Sequence, residues 1–166
     1  MKSNRFDRFA GISAILAGIA ILLYAISFVV ITRSAPELGG KLSALFLLLN
    51  GLLITTPFVA LYSRLQETDG PFALWALLLG MAGALGAAVH GGYDLANAIN
   101  PPVGITPELT AALITLPNQI DPRGLLTFGV SGIALFAFVG LMGRSNAFPT
   151  GLRVLGYALA VLLCWL

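Results

Sequence analysis

The only histidine of the chain lies in the stretch AAVHGGYDLANAINPP, residues 87–102, with an aspartate four positions later. Four residues is about one turn of a helix, so His90 and Asp94 share a face, and Asn97 follows one turn further on. An imidazole beside a carboxylate is the material of a catalytic base, a metal site, or a hydrogen-bond donor to a ligand carbonyl. Asn50, inside another apolar run, is the remaining candidate for a polar ligand contact.

Each of these chemistries needs more than the pair. A haem held between two histidines needs a second histidine, and a zinc site needs three or four ligands at workable spacing. A nucleophilic triad would have to recruit Ser43 or Ser131, and neither stands in a G-x-S-x-G context. Met81 and Met142, the candidates for a His/Met haem, read as ordinary core residues. The expectation is therefore a protein that is not an enzyme and that holds no metal and no cofactor. The alternative is a binder or small transporter of a lipophilic molecule such as a quinone, held by His90, Asp94, Asn97 and Asn50.

Composition sets the elements that carry these residues. Hydrophobic residues make up 58% of the chain and charged residues 10%, against about a quarter charged in ordinary globular domains. Such a chain belongs in a membrane, where only helices and closed barrels satisfy every backbone group. The apolar runs are near a full span in length and lack strand alternation. The fold class expected is all-α: one polytopic transmembrane bundle over residues 1–166, with spans near 9–32, 42–62, 71–96, 124–142 and 152–166. The last run is short and ends without a polar flank, so the natural chain is expected to continue beyond it.

Lys2, Arg5, Arg8, Arg64, Arg144 and Arg153 fall on one side of this arrangement, and Arg33, Lys41 and Arg123 on the other. Positive residues favour the cytoplasm, so the N-terminus is expected inside. The first span has a signal-like basic front but no A-x-A cleavage site, so it is expected to stay as an anchor. Without basic clusters interleaved with aromatics there is no nucleic-acid surface; membrane lipid is the expected partner. Cys164, the single cysteine, lies inside an apolar run, so no internal disulfide can form and no reactivity is expected of it.

His90 then comes near the outer interface, with Tyr93 as an interfacial aromatic and Asp94 at headgroup level. Arg123, in DPRG before the fourth span, is expected at the same level, forming a structural ion pair with Asp94. Small residues at helical spacing let membrane helices approach closely. Gly83 and Ala87 lie on the stripe with His90 and Asp94, Gly80, Ala84 and Ala88 form a second, and Ala10, Ala14 and Gly18 a third on the first helix. Asn50 must hydrogen-bond another helix, and Pro57, after Thr55 and Thr56, is placed to bend its own. In the outer loop, Thr106 as N-cap, Pro107, Glu108 and a closing Pro117 predict a short surface helix over 107–116.

RFAG at residues 8–11, the long loop after the third span and the spacing of the apolar runs together resemble a bacterial family of uncharacterised polytopic inner-membrane proteins with about six spans. The resemblance implies a bacterial inner (plasma) membrane location and no particular chemistry. The function expected from the residues is a non-catalytic integral-membrane subunit. It would pack through its Gly/Ala stripes against other subunits, or against itself, within a larger energy-transducing or transport complex.

Overall fold

The computed structural model describes residues 5–100, 104, 106, 120–121, 124–145 and 147–165. Every regular element among them is helical. Three helices are long and apolar enough to cross a membrane: α1 (Arg5–Ser34), α2 (Pro36–Ile99) and α3 (Leu125–Ser145). A fourth apolar helix, α4 (Thr150–Trp165), is shorter. The expected surface helix over 107–116 lies outside the described residues.

Straight, the 64 residues of α2 would reach about 100 Å, three times the hydrocarbon core. Instead Asp69 leaves helical geometry at φ −160°, ψ 92° and folds the helix into two arms, residues 36–68 and 70–99. Asp69 acts as the N-cap of the second arm, its Oδ1 accepting the Phe72 amide at 3.2 Å. The two expected spans therefore meet at a single non-helical residue. The first arm also starts earlier than its apolar run, because Pro36 and Glu37 are favourable in a first turn. Only Ala35 separates it from α1.

The arms run antiparallel, and glycines set their distance. A Cβ on Gly51 would stand 2.5 Å from the Ala88 amide nitrogen and 2.6 Å from the Ala84 carbonyl. One on Gly91 would meet Leu48 N at 2.5 Å and Ala44 O at 2.6 Å, and Phe58 lies on Gly80. Nearer the hinge the core is Phe58, Leu65, Ala73, Ala76, Phe138, Val139 and Leu141, with the Phe58 and Phe138 rings stacked at 5.8 Å. Then α3 returns along the second arm, and α4 packs on α3, where Gly132 faces Ala160 and Cys164. Cys164 itself is exposed.

On the expected second stripe, Gly80 and Ala84 are buried and Ala88 meets Gly51. The stripe on α1 needs correction. Ala10 is buried, but Ala14 and Gly18 face outward, and the packed face is Ala10, Ser13, Ala17 and Ala20. Steps of three and four keep to one side of a helix with 3.6 residues per turn, whereas repeated steps of four drift away from it.

Asn50 reaches from the first arm to α1, where its amide donates to the Ala17 carbonyl at 3.0 Å. Replacing it by leucine removes a bond between helices, and we expect a loss of about 1 kcal/mol in thermal unfolding of the solubilised protein. Pro57 does not break the first arm, since Asp69 is the only non-helical residue within α2. The carbonyl that Pro57 leaves without its amide is that of Leu53, and the Thr56 hydroxyl takes it at 3.3 Å. Side-chain substitution of this kind keeps the helix continuous in lipid.

Candidate functional site

At the hinge end of the bundle, Arg64 pairs with Asp7 at 3.1 Å and Arg144 with Asp69 at 3.6 Å. These pairs join α1 to the first arm and α3 to the hinge. The site around His90 lies at the opposite end.

Gly83 and Gly86 on the second arm prepare it. A Cβ on Gly83 would collide with Ser131, and one on Gly86 would sit 2.7 Å from Leu126 Cβ. With neither present, the start of α3 comes down onto the arm, and Ala87 is buried there too. One turn beyond Gly86, His90 is brought to the segment that leads into α3.

The residue it meets is Asp121. Its carboxylate caps the first turn of α3: Oδ1 accepts the Leu126 amide at 2.8 Å, and Oδ2 accepts the Thr127 amide at 2.9 Å and the Thr127 hydroxyl at 2.5 Å. The chain turns through Gly124 at φ 65°, a left-handed conformation that glycine adopts without a Cβ penalty, while the Gly124 amide donates to the Asp121 carbonyl. The first turns of α3, Leu125–Val130, are π-helical, a wide geometry common at functional sites. The other π segment, Ser27–Ile31 in α1, is linked to this end through Tyr24, whose ring stacks on Phe28 and tilts against Phe128.

His90 lies between two carboxylates. Nδ1 is 3.4 Å from Asp121 Oδ2, and Nε2 is 3.3 Å from Asp94 Oδ2. Both distances are at the long end of the hydrogen-bond range. For Asp121 the reason is visible: Oδ2 already accepts two bonds from Thr127. Exposure rises along the series, with side-chain values of 1% for Asp121, 15% for His90 and 44% for Asp94.

Asp121 is thus a site residue that the sequence reading passed over in favour of Arg123. An aspartate just before an apolar run, with a glycine three residues on and a threonine six on, was the available signal. Arg123 lies outside the described residues, and the expected Asp94–Arg123 pair with it. Asp94 meets His90 as the four-residue spacing predicts, and Asn97 is half-buried one turn further along. Asn50 does not join the group; its amide is turned to α1. Among the described residues no cluster of His, Cys, Asp or Glu is arranged to hold a metal ion.

Burial pushes the Asp121 carboxyl up; the Thr127 hydroxyl, the Leu126 and Thr127 amides and His90 push it down, and these donors prevail, leaving it below the ordinary carboxylate value. A carboxylate lowered on folding adds stability above its unfolded value, and that stability is lost as pH falls through the folded value. We therefore expect the thermal midpoint to drop as the pH is taken below about 4. The Asp121→Asn variant, starting from a lower midpoint, should show a shallower drop over the same range.

Compared with protein-family models, curated proteins and solved structures, the chain matches none. The functional reading therefore rests on the geometry of the bundle itself.

Proposed function

We propose that the chain is a non-catalytic integral-membrane subunit that crosses the membrane five times, with its N-terminus in the cytoplasm, and packs inside a larger assembly of a bacterial inner membrane. The five crossings are α1, the two arms of α2, α3 and α4, and the distribution of basic residues supports the orientation. The observation that carries the subunit reading is the outward face of α1. Gly11, Ala14 and Gly18 are exposed, and a Cβ on Gly11 or Gly18 would meet nothing within 4 Å. Spacings of three and four place these small residues on one face, the arrangement by which membrane helices approach one another closely.

The use made of the charged groups supports the same reading. Asp7, Arg64, Asp69 and Arg144 join the chain's own elements, and His90 faces two carboxylates. The groove between the second arm, α3 and α4 is lined by apolar side chains, among them Phe72, Trp75, Ile133 and Phe136, and does not include His90.

Native mass measurement of the mildly solubilised particle, wild type beside Gly18→Leu, tests the proposal. We expect defined polypeptides bound to the wild-type chain, and their loss from the variant while its helicity and thermal midpoint are kept. A wild-type particle of one chain with a stoichiometric small molecule contradicts the subunit reading and favours a binder of lipophilic ligands. An unchanged particle in Gly18→Leu contradicts the use of this face.

A further inference from the structure

We propose that the groove between the second arm of α2, α3 and α4 holds an acyl chain of an anionic phospholipid, with the lipid phosphate at Arg144 and Arg153. The groove has a volume of about 350 Å³ and is lined by Phe72, Trp75, Ile133, Phe136, Ala137 and Cys164. That volume falls in the lower part of the range of about 300–1,000 Å³ usual for small-molecule sites. Its walls decide what kind of chain fits. Membrane helices approach one another through small residues, as the two arms of α2 do at Gly51 and Gly91. Here Phe72 and Trp75 lie with ring centroids 5.4 Å apart on the second arm, and Phe136 of α3 meets Tyr157 of α4 edge-on at 5.1 Å. A helix cannot come close over such bulky rings, whereas a flexible hydrocarbon chain fills the space between them.

Charge at the hinge end of the groove selects the head of that chain. Ile133, Phe136, Ala137 and Arg144 fall at helical spacing on one face of α3. Arg144 stands seven residues past Ala137, about 10 Å along the helix. On the second arm, Asp69 accepts the Phe72 amide and pairs with Arg144 at 3.6 Å. From the first turn of α4, Arg153 donates to the Gly143 carbonyl at 3.4 Å and to the Thr150 hydroxyl at 3.1 Å. The two guanidiniums are thus anchored at adjacent positions of α3.

Both have capacity to spare. The Arg144 side chain is 68% exposed, and Arg153 has no acidic partner among the described residues. Each terminal nitrogen of Arg153 carries a second hydrogen beyond the one it gives to Gly143 or Thr150. Over the hinge end as a whole, Arg5, Arg8, Arg64, Arg144 and Arg153 stand against Asp7, Glu67 and Asp69, which leaves it positive. A phosphate answers both the charge and the open donors, since guanidinium matches its geometry. The headgroup layer of one leaflet is about 5–8 Å deep, so a phosphate at this level leaves its acyl chains at the height of Phe72 and Trp75.

Trp75 lines the groove and reports on its occupant. The chain has two tryptophans, and Trp165→Phe, at a position 89% exposed, leaves Trp75 alone. The full chain with this change would be placed in phosphatidylcholine vesicles. A minor fraction of the lipid would be replaced by phosphatidylglycerol or by phosphatidylcholine with brominated chains, whose bromines quench indole fluorescence on contact. From quenching against mole fraction we expect phosphatidylglycerol to associate about tenfold more strongly than phosphatidylcholine, the scale set by two basic groups near a phosphate. Arg144→Gln with Arg153→Gln should bring the two lipids to equality. Arg144→Gln alone, at an exposed side chain, should reduce the preference while the thermal midpoint is kept. Arg8→Gln removes a cation of the same end from α1, which packs on the first arm and not on α3 or α4; it should leave the preference as it was. Equal quenching by the two lipids in the unsubstituted groove overturns the proposal. So does a preference that Arg144→Gln leaves whole, or one that Arg8→Gln lowers as much, which would make it a general attraction of the basic end.

Discussion

Asp121→Ala should destabilise the folded bundle by about 3 kcal/mol, read from the thermal midpoint in a fixed detergent. The carboxylate is buried and receives the Leu126 and Thr127 amides, the Thr127 hydroxyl and the approach of His90. Alanine leaves all of these donors in place without an acceptor, so the loss exceeds that of an ordinary N-cap, about 1 kcal/mol. Asp121→Asn keeps one oxygen but sets an amide NH2 among donors, and it should lose an intermediate amount. A loss below 1 kcal/mol for alanine would mean that water or another residue takes over the first turn of α3.

The second large effect is expected between the arms of α2. Gly51→Leu places a side chain where even a Cβ stands 2.5 Å from the backbone nitrogen of Ala88. Backbone cannot rotate aside as a side chain does, so the arms must separate and Ala84, Ala88 and their neighbours lose contact. The cost is expected at about 3 kcal/mol or more, the upper range for overpacking. Gly91→Leu, against Ala44 and Leu48, should behave alike. The matched control is Gly11→Leu on the outward face of α1, where a Cβ meets nothing within 4 Å; it should leave the midpoint of the isolated chain unchanged. Equal losses at Gly51 and Gly11 would contradict close packing of the arms.

Which parts of this architecture can be read from the sequence follows from which forces are local. Apolar runs reveal helices because lipid demands internal backbone pairing, and among the described residues these runs lie in helices, three of which are long and apolar enough to cross a membrane. Their ends are less legible. Pro36 starts the first arm ahead of its apolar run and the arm continues to the Asp69 hinge, since capping and first-turn preferences do not register in hydropathy. His90 and Asp94 meet because their spacing is that of a single helix. Asp121 lies 31 residues from His90, and only the notch made by Gly83 and Gly86 brings it there. Gly86 falls outside the series of Gly83, Ala87, His90 and Asp94, so a search for regular spacing passes over it. On α1 a strict four-residue series selects Ala14 and Gly18, whereas the face that packs follows the helical period through Ser13 and Ala17.

The ionisable groups of this bundle join its helices to one another. A double-mutant cycle on His90 and Asp121 tests it most directly, with His90→Gln, Asp121→Asn and the double variant unfolded under the same conditions. We expect the double variant to lose less than the sum of the single losses, with a coupling of about 1 kcal/mol. Additive losses would show that the two side chains do not stabilise one another and that this contact does not join α3 to the second arm.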